Sequence, residues 1–254
     1  MKEFDGKVAL VTGAGSGIGA ATARLLGARG ARVAVNYRSD AARAEDVAAA
    51  IRKDGGQAVA LQADVTSPAE VRALVARTTE ELGVIDVLVL NAMGLGAHEA
   101  RIAPVGQLDW ADVERIVTQQ LKAVFHLAHE VLPAMQARGS GSVVAVGAAL
   151  ARRAAPGFLA LAVAKAGVEA AVRTLALEAG PYGVRVNAVH PGLILTELSG
   201  MIPEEQRKAA AARAAVRRNG TPEDVAELIA FAASDRAGYL TGAGLMADGG
   251  TAMI

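Results

Sequence analysis

The stretch that most constrains how this chain can fold is Val8-Ala9-Leu10-Val11-Thr12-Gly13-Ala14-Gly15-Ser16-Gly17-Ile18-Gly19. Its apolar start, Val8 to Val11, reads as a short buried strand, and an alanine-rich helical pattern follows from about Ala20 to Arg29. Between the two, glycines stand at 13, 15, 17 and 19. A strand that ends in glycines and opens a helix lets backbone N–H groups approach an anionic phosphate, and the positive end of the helix stabilises that charge. Gly13, Ser16, Gly17, Ile18 and Gly19 are therefore candidate phosphate-binding residues. The spacing is Thr-Gly-x-x-x-Gly-x-Gly, read at Thr12, Gly13, Gly17 and Gly19, rather than Gly-x-Gly-x-x-Gly.

The rest of the chain supplies partners for such a strand. Further strands are predicted over 31–36, 57–62, 84–90, 141–147, 184–190 and 244–247, beside the first at 7–12. Helices are predicted near 17–29, 40–54, 68–82, 109–138, 158–180 and 222–233. Strand–helix alternation of this kind predicts an α/β fold: a Rossmann-like, doubly wound parallel sheet of about seven strands with helices on both faces. Thr66-Ser67-Pro68 and Thr221-Pro222 carry the signature of a capped helix start, and Gly30, Gly55-Gly56, Gly83 and Gly139 read as stops. No linker or repeat divides the sequence, which predicts a single nucleotide-binding domain over 1–254. The strip 191–221 interrupts the alternation and contains Pro203 and an alanine/arginine helix. A substrate cover is the functional expectation for it, against an ordinary surface helical hairpin.

Bulk properties exclude several classes. The 254 residues carry 26 basic and 26 acidic side chains, so no basic field points to nucleic acid. Without cysteine, disulfides and thiolate metal sites are excluded, and no metal is expected. Met1 to Lys7 include acids and no apolar export core, and no apolar run is long enough to span a bilayer. The expectation is a cytoplasmic protein that contacts neither nucleic acid nor membrane. With 3% aromatic residues, the core must pack through Ala, Val and Leu at close helix contacts.

The glycine spacing resembles the cofactor loop of the short-chain dehydrogenase/reductase family, and other motifs keep that family's order along nearly the whole chain. Ala63-Asp64-Val65 follows the third strand, Leu90-Asn91-Ala92-Met93 stands where the family has Asn-Asn-Ala-Gly, and Val186 to Thr196 contains its Pro-Gly segment at Pro191-Gly192. Leu240-Thr241-Gly242 to Asp248-Gly249-Gly250 resembles its last strand. The resemblance implies a nicotinamide dinucleotide cofactor. In that reading Asp64 and Val65 border the adenine, and Asn91 belongs to the cofactor frame. The backbone of Ile194 holds the nicotinamide carboxamide, and Thr196 touches the carboxamide or the pyrophosphate. At the end of the second strand, Tyr37 occupies the place of the acid that would select NAD, and Arg38 offers a planar cation suited to a 2′-phosphate. Ser16 stands where many phosphate-preferring relatives carry a base. NADP (NADPH) is favoured and NAD is left open.

The family's catalytic residues fare differently. Its lysine matches Lys165, but one helical turn earlier, where the family has Tyr, stands Leu161. The Ser position falls on Ala148 and the Asn position on Gln120. Leucine cannot donate a proton and alanine offers no hydroxyl, so carbonyl reduction by the family's own apparatus should be crippled. Lys165 is expected to bind the ribose hydroxyls, and Gln120 to bond a backbone carbonyl. Candidates to replace the phenol are His98, Glu99, His190, Arg152 and Arg153, with His98 the foremost because its loop usually borders the substrate. Met93, Ala148, Leu159 and Leu161 would line an apolar pocket.

Two functions follow. One is an NAD(P)(H)-dependent oxidoreductase acting on an apolar carbonyl or hydroxyl compound through a non-standard proton donor. The other is a non-redox member of the fold (cyclase, isomerase or lyase) or a silent nucleotide-binding subunit. The resemblance further implies a homo-oligomer, tetramer or dimer, joined through the long helices 109–138 and 158–180, with His126 and His129 in packing or subunit contacts. The face Ala160, Ala164, Gly167 and Ala171 is expected to allow close approach of a second copy.

Overall fold

The computed structural model describes residues 2–93 and 101–253. Seven parallel strands form one sheet: β1 (Val8–Val11), β2 (Arg32–Tyr37), β3 (Gln57–Gln62), β4 (Val87–Leu90), β5 (Gly141–Val146), β6 (Val184–Pro191) and β7 (Gly244–Ala247). Their spatial order is β3-β2-β1-β4-β5-β6-β7, so the winding reverses between β1 and β4. Ligand crevices in open α/β sheets lie outside the carboxyl ends of the strands at such a reversal. The Rossmann-like expectation therefore holds in strand number, direction and connection.

The described residues form seven α-helices: α1 (Gly17–Ala28), α2 (Ala41–Lys53), α3 (Pro68–Leu82), α4 (Trp110–Arg138), α5 (Leu159–Ala179), α6 (Glu204–Arg213) and α7 (Pro222–Ala233). Alternation along the strands assigns the two faces. Leu10, Leu88, Leu90, Val143, Ala145 and Val186 point to one core shared with α3, α4 and α5. Val11, Val35, Val89, Val144 and Val189 point to the other, shared with α1, α2 and α7. Both layers are built almost wholly from aliphatic residues, as the scarcity of aromatic rings requires.

Local chemistry fixes the helix starts. The Asp40 carboxylate accepts from Arg43 N, and the Ser67 hydroxyl from Glu70 N beside Pro68. Thr221 and Asp224 form a reciprocal capping box at α7. β4 begins three residues later than the pattern predicts. Val84 is exposed, and Asp86 spends its backbone N–H on Val8 O and its carboxylate on Val8 N, closing the strand's entry rather than extending it. Segment 191–221 contains a 3₁₀ turn over Leu198–Met201 followed by α6.

The small-residue face of α5 is already in use within the chain. Ala160 and Ala164 are buried with Ile116 of α4, and a Cβ on Gly167 would lie 3.1 Å from Leu121 Cδ2. Ala171 packs on the central core. Small residues there let α5 approach α4 of its own chain. The large apolar side chains these helices expose are Trp110, Phe125, Leu159, Val163 and Leu177.

Candidate functional site

The glycine loop leaves β1 at the winding reversal and is anchored from three strands. Thr12, fully buried, donates its hydroxyl to Val89 O and accepts from the N–H groups of Asn91 and Ala92 at 3.0 Å each. Asn91 returns its side-chain amide to Thr12 O at 2.8 Å and Gly13 O at 3.1 Å. From β2, Asn36 accepts from Gly13 N and donates to Leu61 O and Ala63 O of the neighbouring strand end. The loop's shape is thus held by polar side chains at the ends of β1, β2 and β4. Asn91 acts as a strut of the cradle.

Two glycines make the cradle what it is. A Cβ on Gly19 would stand 2.4 Å from Gly13 O and 2.6 Å from Asn91 Nδ2, so no side chain fits there. Gly17 adopts φ +52°, and its Cα faces Thr196, whose Cγ2 would be 3.2 Å from an added Cβ. Ser16 begins α1 without a side-chain cap, and the first turn carries no acid. The opening N–H groups of a helix lack intrahelical partners. Bare backbone, an uncapped positive helix end and the absence of an acid from that first turn fit a phosphate group, and with it the pyrophosphate of a dinucleotide.

The remaining predicted cofactor residues follow the ends of β2, β3 and β6. Asp64 Oδ1 accepts from Thr66 N and Thr66 Oγ1, so part of its carboxylate shapes the turn after β3, and Val65 is buried beside it. Arg38 is exposed beyond β2, with its carbonyl accepting from Gln62 Nε2. β6 carries Pro191 to the sheet's edge, and Gly192 N donates to Ala247 O. Ile194 then forms an isolated parallel bridge to Gly220. That bridge uses Leu193 O and Leu195 N, which turns the N–H and C=O of Ile194 to the opposite side. Thr196 closes the segment in a turn with Ser199, bonded reciprocally through their hydroxyls and backbone.

On the other flank, at the end of β5, lies the corner where the family's chemistry is expected. Lys165 is only 3% exposed and donates from Nζ to Val146 O at 2.7 Å. Burial pulls its ammonium down to about 8 from the ordinary lysine value. Gln120 is equally buried, and its Nε2 reaches Ala92 O at 3.5 Å, a weak version of the predicted carbonyl contact. Leu161 and Ala148 are half-buried and bring no polar side-chain atom. His98 and Glu99 lie outside the described residues.

Two other candidates for the phenol's role are differently employed. His190 is fully buried; Nδ1 contacts Ala148 O at 3.2 Å, and Nε2 lies 3.7 Å from Glu169 Oε2 with no hydrogen bond of its own. Burial keeps its pKa below the usual histidine range, so the ring stays neutral. Arg152 grips Glu169 with two nitrogens, at 2.6 Å through NH2 and 3.1 Å through Nε, and Arg173 joins at 2.9 Å. Arg152 chiefly holds the Glu169 carboxyl below its normal pKa. This cluster braces the turn at Ala148 from behind. Sequence inspection missed Glu169 as its hub, although its place one turn after Lys165 on α5 was visible. Arg153 is exposed. His126 and His129 both pack on Phe125 of α4, the latter ring stacked on it at 5.8 Å.

Comparison with known proteins points one way. Residues 13–252 match the family model described as enoyl-(acyl carrier protein) reductase. The chain is 43% identical to cis-4-hydroxycyclohexanecarboxylate dehydrogenase of Sinomonas cyclohexanicum, over 97% of each protein. It is 37% identical to the 3-oxoacyl-(acyl-carrier-protein) reductase FabG of Vibrio cholerae, over 99% of each. A solved structure of 7α-hydroxysteroid dehydrogenase, complexed with NADH and 7-oxoglycochenodeoxycholic acid, superposes with a TM-score of 0.91 at 33% identity. That match covers 98% of this chain and 95% of the other.

Proposed function

Because this chain belongs to the short-chain dehydrogenase/reductase family, we propose that it is an NAD(P)(H)-dependent oxidoreductase whose proton donor is not the family's tyrosine. The observation that carries the reading is the conjunction of a glycine cradle with room only for backbone and a buried lysine beside it, at a corner stripped of hydroxyls. NADP(H) is the favoured cofactor, since Tyr37 replaces the selecting acid and cations stand near the end of β2.

When bound, the nicotinamide supplies or accepts the hydride. This chain's own residues do the rest. Gly13, Ser16, Gly17, Ile18 and Gly19 hold the pyrophosphate, Asp64 and Val65 border the adenine, and Asn91 keeps the loop in shape. Lys165 binds the ribose hydroxyls through its ammonium. The N–H and C=O of Ile194 hold the carboxamide, with Pro191 and Gly192 shaping the approach and Thr196 packed on the glycine loop. Gln120 fills the place of the relay asparagine. His98, water or the substrate itself supplies the proton to the substrate oxygen.

The substrate is a carbonyl or hydroxyl compound with an apolar body, consistent with Met93, Ala148 and Leu161 at the corner and with the cyclic substrate in the name of the Sinomonas relative. The strip 191–221 acts as its cover within a single domain. No helix among the described residues is long and apolar enough to cross a membrane; the site of action proposed for the chain is cytoplasmic. A homo-oligomer, tetramer or dimer, forms through exposed Phe125, Val163 and Leu177 on α4 and α5.

Incubating the protein with NADPH or NADH and a panel of alicyclic and acyl ketones, while following oxidation of the nicotinamide, tests the reading. Slow turnover with NADPH preferred is expected. Nucleotide binding with no turnover of any ketone or alcohol would favour the second reading, a non-redox or silent nucleotide-binding subunit, which the loss of both hydroxyls at 148 and 161 motivates. Sedimentation at micromolar concentration should show a dimer or tetramer.

A further inference from the structure

The imidazole of His190 occupies a niche that three strands make together. It projects from the end of β6, between Gly147 just past β5 and Gly244 at the start of β7. A Cβ on Gly147 would stand 2.3 Å from its Nδ1, and one on Gly244 2.7 Å from its Nε2. A side chain at either place would evict the ring, so both neighbours present bare backbone to it. The charged groups that face it are Glu169 and Lys165 of α5 and Arg152 of the turn after β5. Arg173 acts on it only through Glu169.

The hydrogen bonds fix the tautomer. Ala148 O can only accept, so Nδ1 at 3.2 Å from it carries the hydrogen. In the neutral ring Nε2 is then a lone pair, buried without a partner and 3.7 Å from another acceptor, Glu169 Oε2. Two facing acceptors leave room for one proton between them. The carboxylate keeps an oxygen ready for it. Oε1 takes Arg152 NH2 at 2.6 Å and Arg173 NH1 at 2.9 Å, whereas Oε2 has a share of Arg152 Nε at 3.2 Å. Burial opposes the charge, which keeps the ring neutral until the medium turns acid.

We propose that His190 and Glu169 form a proton-operated clamp that positions the turn after β5 and, with it, the wall of the corner at Ala148. The neutral ring holds the Ala148 carbonyl through Nδ1 alone. A proton on Nε2 turns that atom into a donor, and Oε2 closes the 3.7 Å gap to a charge-assisted hydrogen bond. The ring is wedged between two glycines, so it is the carboxylate that moves, and Arg152, bound to it through two nitrogens, follows. Residues 148–152 shift with Arg152, and the corner leaves its working geometry. His190 and Glu169 are positioning residues and touch no substrate. That hydride transfer takes place at this corner rests on the functional reading above.

Ring nitrogen NMR of the full chain from about pH 8 to pH 4, with His190→Asn identifying the signal, tests the clamp. The Nδ1–H tautomer is expected at pH 7, with a titration midpoint below the ordinary 6.5. The methyl signal of Ala148 should move with the same midpoint. Glu169→Gln sets an amide N–H before the bare Nε2, which favours the neutral ring and lowers the midpoint further. With NADPH and a ketone, kcat should drop to about half at the wild-type midpoint while KM for NADPH stays within about twofold. An Nε2–H tautomer at pH 7, an Ala148 signal indifferent to the titration, a midpoint unmoved in Glu169→Gln, or a measurable kcat flat through the midpoint would overturn the clamp. Absence of turnover with every ketone would count against the functional reading instead, and the ring and methyl signals would still decide the clamp.

Discussion

The glycine cradle and the α5 corner stand at the carboxyl ends of β1 and β5, with β4 between them, yet they are made of different materials. The cradle consists of backbone held by struts: Thr12, Asn36 and Asn91 each bond main-chain groups of other segments. The corner is defined by side chains on Ala148, Leu161, Lys165 and Gln120, of which the first two bring no polar atom. A site made from backbone cannot change without disturbing the fold that shapes it. A site made from side-chain hydroxyls can be exchanged for apolar groups while the strands and helices stay in place. The comparison explains how one chain can keep a backbone cradle and yet carry no side-chain hydroxyl at 148 and 161.

Restoring the side chains should produce the largest effect. Leu161→Tyr combined with Ala148→Ser is expected to raise ketone reduction with NADPH by about 10²–10⁴-fold, the usual contribution of a positioned acid. If turnover does not rise, the corner differs from an active one in backbone as well as in side chains, and the contrast fails.

Disturbing the cradle should instead cost stability. Gly19→Ala places a Cβ 2.4 Å from Gly13 O, against backbone that cannot yield cheaply. A loss of about 1–3 kcal/mol in denaturant unfolding is expected, together with loss of nucleotide binding. Asn91→Ala removes the amide bonded to Thr12 O and Gly13 O, and should cost about 1–2 kcal/mol. Unchanged stability in both variants would show that the cradle is as replaceable as the corner.

Lys165 sharpens the comparison through pH. Its folded-state pKa, about 8, lies below the ordinary value of 10.5, so the unfolded chain holds the extra proton between those limits. Burial of the charge therefore penalises the fold fully below pH 8, and wild-type stability from this group rises between pH 8 and 10.5. Lys165→Met should stabilise the protein by about 1–2 kcal/mol at pH 7, with the gain fading toward pH 10, while weakening nucleotide binding. Melting curves across that range decide it. A gain independent of pH would mean that the ammonium is not the source of the cost.

Much of the fold is legible in the residues alone. The alternation of apolar strands with capped helices implies the sheet, because a strand's burial and a helix's start are local properties of residues such as Val8–Val11 and Ser67-Pro68. The glycine spacing marks the cradle, since a backbone approach needs missing side chains. Contact between distant segments leaves no such mark. The alanines of α5 suggest a surface for a second copy, but they serve α4 of the same chain, because small residues mark a close approach without saying to whom. Arg152 and His190 resemble acid–base candidates, and only their placement around Glu169 shows them bracing a turn. Arg43 and Glu197 carry no sequence signal at all, being ordinary surface charges until folding brings α2 against the strip after β6.

By itself, then, the sequence determined the winding of the sheet, the place of the glycine cradle and the absence of hydroxyls at 148 and 161, for each depends on residue type and near-neighbour spacing. Tertiary structure alone decided which charges meet: Lys165 with the Val146 carbonyl, Glu169 with Arg152, and Arg43 with Glu197. Such encounters depend on the direction of side chains across gaps of many residues, and it is packing that sets those directions.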